Sequence, residues 1–268
     1  MIVISIQMQN LVQIKHDKHD INNRIIKEPK FLSRVDDKSL QLSDTVVLYN
    51  DNFTWKIVPL EIMLMYPVIH DQYENKIITI YVCPYTLFSC VYFDQFYLNN
   101  QVYNNNLTLI NDNNTIIPII GQIYTKDMNI MKSYIRKNEV KIMTLRNAIS
   151  MFPDCQFIDT SDIKKIEPLV DKNYLKNKQI EFLSTDKYSD KYDPKQIIYV
   201  IEYYSKKQDD YKYSVIVPKE NIFDISKNKF EIYFDKMIEK VRDKGGHIYT
   251  CLWFAWSATH NKFKIINI

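Results

Sequence analysis

Cys83 is the residue whose type and setting point most directly to chemistry. A Cys-Pro step at the end of an apolar run can present a thiol, and a thiol becomes a nucleophile when a base converts it to thiolate. His70 is the nearest imidazole in the chain and stands beside Asp71, so Cys83, His70 and Asp71 could serve as nucleophile, base and orienting carboxylate. The neighbours Tyr81, Val82 and Tyr85 support the opposite reading, a buried and inert cysteine.

Other clusters offer less. His16-Asp17-Lys18-His19-Asp20 gathers two imidazoles and two carboxylates, but no further ligand lies nearby, so it reads as a solvated turn and no metal or cofactor is expected. Asp186, Asp190, Asp193 and Glu202 are scattered among lysines, and no pair stands out for acid–base work. Lys164, Lys165, Lys172, Lys176, Lys178 and Lys187 alternate with Tyr174, Phe182 and Tyr188, as a polyanion groove would require, yet acidic residues sit between them. An exposed linker is expected there, and nucleic acid is not expected as a partner. Trp253, Phe254 and Trp256, with Tyr85, are the candidate ligand- or partner-binding aromatics. Read as a strand, Trp253 faces one way and Phe254 and Trp256 the other, giving either an aromatic wall for a partner or a seal on the core.

The elements that must position these residues are mostly strands. Thr45–Tyr49, a turn at Asn50-Asp51-Asn52 and a return over Phe53–Val58 make a hairpin that ends at Pro59 and runs into a short helix at Leu60–Met65. Lys76–Val82, Ser89–Phe93, Leu107–Ile110 and Thr115–Ile120 supply further strands between Asn/Asp turns. Met128, Met131, Ile135, Ile142, Leu145 and Ile149 fall near helical spacing, which predicts a helical segment ending before Pro153. A second hairpin, Gln196–Ile201 and Tyr211–Val217, ends at Pro218 as the first ends at Pro59, which points to an internal duplication. The expected fold class is therefore α+β and β-rich: two related β subdomains joined by a helical segment and a lysine-rich connector. The expected boundaries are an arm at 1–43, a first subdomain at 44–153, a connector at 154–194 and a second subdomain at 195–268.

Composition narrows the function classes. The 268 residues carry a formal charge of +3 with 25% charged and 46% hydrophobic residues, enough for a packed core and no strong pull toward polyanions. Three glycines, Gly121, Gly245 and Gly246, leave no phosphate-cradling loop and no dinucleotide fingerprint. Abundant Ile, Lys, Asn and Tyr reflect A/T-rich codons, as in a large AT-rich DNA virus or a protist. Cys83, Cys90, Cys155 and Cys251 are too dispersed for a zinc knot and read as reduced thiols. The uncharged run Ile77–Phe93 contains Pro84 and reads as two buried strands about a turn, so no membrane span is expected. The amino-terminal residues lack a basic n-region and a cleavage site, so the expected location is intracellular: cytoplasmic, or a virion or virus factory if viral.

Several short motifs recur in a known order: Ile57-Val58-Pro59-Leu60, Val82-Cys83-Pro84-Tyr85-Thr86 leading to Phe93-Asp94-Gln95, Tyr103-Asn104-Asn105-Asn106-Leu107, Met151-Phe152-Pro153-Asp154 and Leu252-Trp253-Phe254-Ala255-Trp256. In this order the chain resembles, over residues 44 to 268, the bacterial and archaeal domain of unknown function numbered thirty-one seventy-nine. The resemblance implies a fold more than an activity. Tyr66-Pro67 stands where that family usually has His-Glu, and the family's turn glycines are missing after Cys83-Pro84 and near Asn99-Asn100, which implies that any site built there is lost. The expectation is a binding or structural module with a protein partner or self-association, and the alternative is a thiol enzyme using Cys83 and His70 in a cleft between subdomains.

Overall fold

The computed structural model describes residues 11–13, 21, 23–33, 40–51, 53–111, 114–120, 122–125, 130–131, 136–138, 140–171, 173–178, 180–181, 188–205, 210–217, 247–260 and 263–267. In chain order the strands are β1 (Leu11–Gln13), β2 (Ile25–Lys27), β3 (Phe31–Leu32), β4 (Thr45–Asn50), β5 (Trp55–Pro59), β6 (Val68–Tyr73), β7 (Lys76–Val82), β8 (Ser89–Tyr92), β9 (Tyr97–Tyr103) and β10 (Asn106–Asn111). They continue with β11 (Asn114–Ile117), β12 (Gln122–Thr125), β13 (Ile130–Met131), β14 (Arg136–Asn138), β15 (Val140–Thr144), β16 (Gln156–Ile158), β17 (Ile197–Ser205), β18 (Asp210–Val217), β19 (His247–Leu252) and β20 (Lys264–Asn267). Among the described residues three short α-helices intervene: α1 (Leu60–Met65), α2 (Leu145–Met151) and α3 (Trp253–Thr259). The chain is β-rich, as its sequence indicates, and among the described residues no helix is long and apolar enough to cross a membrane.

Four sheets result. The first runs β1-β9-β10-β11-β12-β13 and is antiparallel throughout. The second runs β14-β8-β7-β6-β2, with β2 parallel to β6. The third runs β15-β4-β5-β16-β3, and the fourth β19-β17-β18-β20; in each, one strand flanks the central hairpin in parallel, β16 on β5 and β20 on β18. The segments expected as an arm and a connector are woven into these sheets. β1, β2 and β3 each form a sheet edge, and β16 extends the third sheet.

Alternation along strands explains the near-continuous apolar runs. Val47, Tyr49 and Val58 of the third sheet face the main core, which draws on all four sheets. Val46, Leu48 and Ile57 face the other way into a smaller core roofed by Leu145 and Ala148 of α2. Because both faces are covered, the β4–β5 hairpin has no polar stripe. The helices start and stop on local signals: α1 begins after Pro59 and ends before Pro67, and α2 is capped by Thr144, whose side chain accepts from the Asn147 amide, and ends before Pro153.

Two expectations are corrected. The helical segment expected from Met128 to Ile149 is strand wherever it is described before Leu145: β13, β14 and β15 precede α2, and Met128 and Ile135 lie outside the described residues. Met131 and Ile142 satisfy a helical period, but Val140–Thr144 is captured by β4 over five paired residues. The Trp253–Trp256 segment, whose alternating faces rested on reading it as a strand, is the first turn of α3. Its strand partner runs out there, since Leu252 pairs with Ile197, the first residue of β17.

Tight hairpins replace glycine with asparagine. Glu74 and Asn75 join β6 to β7 with φ of 46° and 63°, and Asn104 and Asn105 join β9 to β10 with φ of 43° and 63°. Two successive left-handed residues are the geometry of a two-residue hairpin loop, and Asn tolerates it better than other residues with a side chain. Asn75 is exposed, so its replacement isolates the backbone effect. Asn75→Ala is expected to lower stability by about 1 kcal/mol in urea titration, while Asn75→Gly is neutral or stabilising; equal effects of the two would contradict a left-handed requirement.

Candidate functional site

The three residues first suspected of catalysis are each held by other groups. His70 and Asp71 are neighbours on β6, so strand alternation sends them to opposite faces. His70 Nε2 lies 2.7 Å from the Phe96 carbonyl oxygen, which can only accept, so Nε2 carries the proton and Nδ1 is left to accept from the Gln95 amide nitrogen at 3.4 Å. Burial pushes the His70 pKa below its ordinary value. Asp71 crosses to the third sheet: its Oδ2 accepts from Lys56 Nζ at 2.6 Å and from the Tyr49 hydroxyl at 2.8 Å, while Oδ1 accepts the Gln72 amide. Lys56 also reaches Asp51 at 2.9 Å and lies over the Phe31 ring. Burial opposes the Asp51 charge, but the amides of Thr54 and Phe53 and the Lys56 ammonium outweigh it and hold the carboxyl below its ordinary pKa.

Cys83 is fully buried. Its Sγ accepts from the Leu107 amide at 3.3 Å and faces the Asn105 carbonyl at 3.7 Å. Among the described residues, none of Cys83, His70 and Asp71 hydrogen-bonds another of the three. The relay that these three could have formed is not assembled. The His16–Asp20 cluster lies outside the described residues, as do Lys172, Phe182 and Lys187; Lys164, Lys165, Lys176 and Lys178 are exposed.

The aromatic candidates are core residues. Trp253, Phe254 and Trp256 are wholly buried on α3 and Tyr85 nearly so, which removes them from any surface wall. Trp253 Nε1 donates to the Ser189 carbonyl at 2.7 Å, and Trp256 stacks on His260 with centroids 3.4 Å apart. Three of the short motifs, Val82–Thr86, Tyr103–Leu107 and Leu252–Trp256, meet in space. At Thr86, the carbonyl accepts the Leu252 amide at 2.7 Å and the hydroxyl accepts from Asn106 Nδ2 at 2.9 Å.

Beside this junction lies a residue that the sequence reading passed over. Lys195 follows Asp193-Pro194, and its residue is only 7% exposed. Among the described residues its Nζ has no hydrogen-bond partner; it sits 2.9 Å from the centroid of the Tyr174 ring and 5.5 Å from that of Phe254. Tyr174 is itself fixed by donating its hydroxyl to the Tyr85 carbonyl at 3.0 Å. Ring faces attract a cation but replace only part of its lost hydration. Burial accordingly lowers the Lys195 pKa to about 7, against the opposing pull of the Glu181 and Asp193 carboxylates. The one signal in the sequence is a lysine at the threshold of the apolar run Ile197–Ile201. Tyr85, Phe254 and Tyr174, all singled out on other grounds, are its surroundings.

A lysine whose pKa is lower in the folded chain penalises folding fully below about pH 7, and the penalty fades as pH rises toward the unfolded value of 10.5. Lys195→Ser is therefore expected to be more stable than the parent at pH 7, by roughly 2–8 °C in melting temperature. That gap should close toward pH 10, and a gap constant across this range in paired thermal melts would contradict the buried, unpartnered state. Compared with known protein families, curated proteins and solved structures, the chain matches none.

Proposed function

We infer that the chain is a binding or structural module without catalytic thiol chemistry, built from two copies of one β unit. The observation that carries the first part is the state of Cys83, fully buried and engaged by the Leu107 amide, with His70 and Asp71 turned to other partners. A thiol enzyme would need the sulfur open to substrate and an imidazole within reach of it. The four cysteines are free and buried, in keeping with an intracellular, reducing setting.

The duplication is supported by register. In the third sheet Thr144, the last residue before α2, pairs with Thr45, the first residue of β4; in the fourth, Leu252, the last before α3, pairs with Ile197, the first of β17. Val47 pairs with Val58 and Ile142, as Tyr199 pairs with Ile216 and Thr250. Ile57 lies beside Phe157 in parallel, as Val215 lies beside Ile265. The entry turns agree as well. Asp44 N to Gln41 O, Leu145 N to Asp44 O and Arg146 N to Leu42 O recur as Gln196 N to Asp193 O, Trp253 N to Gln196 O and Phe254 N to Pro194 O. The ring pair Trp55–Phe152 has its counterpart in Tyr213–His260, and β15 lies against its counterpart β19. This register matches Pro59 with Val217, one residue from the match that the two prolines give. Codon bias can make two hairpins look alike, but it does not produce a shared register across four strands and a helix.

The partner, on this reading, is a protein or a second copy. Phe53 stands 76% exposed at the tip of the β4–β5 hairpin, with Tyr73 at 6.1 Å and Phe93 edge-on to Tyr73, an aromatic group outside the core that a protein surface could cover. The exposed connector lysines are interspersed with acids, Lys178 pairing with Asp193, which does not favour nucleic acid. Thiol labelling of the native chain tests the reading. Cys83 should stay protected until denaturant unfolds the protein, whereas rapid native labelling lost in Cys83→Ser would establish the thiol-enzyme alternative.

A further inference from the structure

We propose that Lys195 is a covalent docking point for small carbonyl compounds, its ε-amine condensing with an aldehyde to form an imine. Four observations carry this. The amine is at least nine-tenths buried, has no hydrogen-bond partner among the described residues and lies against the faces of Tyr174 and Phe254. It is nevertheless close to the surface: Glu181 is exposed, the Asp193 side chain is 42% exposed, and both carboxylates act on the amine electrostatically. With a pKa near 7, much of the amine is neutral at pH 7, whereas an ordinary lysine is almost wholly protonated.

The fourth observation is that the turn does not need a lysine. In the repeat proposed above, on which this one comparison rests, Lys195 corresponds to Ser43, which is exposed in a turn with the same three backbone hydrogen bonds. The same local structure forms once with a small surface residue and once with a buried amine. The buried amine is costly to the fold and unexplained by it, which is the pattern of a residue kept for its chemistry.

The chemistry balances within the site. The Nζ lone pair forms a bond to the carbonyl carbon as the C=O π bond breaks and the oxygen takes up a proton, giving a carbinolamine. The C–O bond then breaks, and the oxygen leaves as water carrying both amine hydrogens while C=N forms. Those protons exchange with solvent on the side of the exposed Glu181 and Asp193 carboxylates, whose charges act on the amine, and Tyr174, hydrogen-bonded to the Tyr85 carbonyl and with its own pKa raised by burial, stays neutral beneath the amine.

The test is reductive alkylation of the full chain with limiting acetaldehyde and cyanoborohydride, followed by peptide mapping. Lys195 should be modified at least about ten-fold faster than exposed lysines such as Lys164 and Lys176, since a neutral fraction near one half outweighs partial occlusion. Its rate should rise across a midpoint near pH 7, with Glu181, Asp193 and Tyr174 the titratable groups that face it. Lys195→Ser, expected to fold because the equivalent turn carries Ser43, should lose the fast phase and leave the slow lysines unchanged. Modification of Lys195 no faster than that of exposed lysines, or only after unfolding, would overturn the proposal while leaving the repeat and the reading of Cys83 untouched.

Discussion

The carboxylate of Asp71 ties two sheets together, and much of the interior is arranged around it. It belongs to β6 of the second sheet, yet its partners Lys56 and Tyr49 belong to β5 and β4 of the third. Removing an unpaired ion from water costs several kcal/mol, so none of these groups could be buried alone. Together they are satisfied: Lys56 has two carboxylates and a ring face, and Asp51 has two amides and the ammonium. The Tyr49 hydroxyl, whose pKa burial and the Asp71 charge raise well above the ordinary value, stays a neutral donor. Because the pairing is directional, it fixes which residue of β6 faces which residue of β5. His70 is thereby turned to the opposite face, toward Phe96 and away from Asp71.

Two buried lysines therefore behave in opposite ways. Lys56 is enclosed by anions and forms part of the fabric. Lys195 is enclosed by rings, with its carboxylates at a distance, and its protonation is marginal. The difference comes from neighbouring strands: β4 and β6 bring Tyr49, Asp51 and Asp71 to Lys56, while the residues around Lys195 come from a loop, a single 3₁₀ turn at Tyr174–Lys176 and the aromatic start of α3. The first arrangement accounts for stability and the second for reactivity.

The local elements were legible because their signals are local. The Asn/Asp turns, the prolines after β5 and α2 and the β-branched runs mark β4, β5, α1, β7, β8 and β10 nearly to the residue. What failed depends on distant partners. Val140–Thr144 carries no mark distinguishing it from a helix until β4 is beside it, and Trp253–Trp256 becomes helical because β17 begins at Ile197 and offers no further partner. The parallel strands β2, β16 and β20 join strands far away in the chain, which no short pattern encodes. The site was half visible: Tyr85, Tyr174 and Phe254 drew attention as aromatics, but Lys195 looked like one lysine in a lysine-rich chain, since burial is a property of the fold.

The central claim is that the chain's most conspicuous charged residues are internal fastenings. A double-mutant cycle on Lys56 and Asp71, with Lys56→Met, Asp71→Leu and the pair measured by urea unfolding at pH 7, tests this most directly. The account predicts that each single change costs about 3–5 kcal/mol, because it strands a buried charge, and that the double change costs much less than their sum, a coupling of about 2 kcal/mol or more. Additive effects within about 0.5 kcal/mol would contradict it and return Asp71 to the list of residues free to do chemistry.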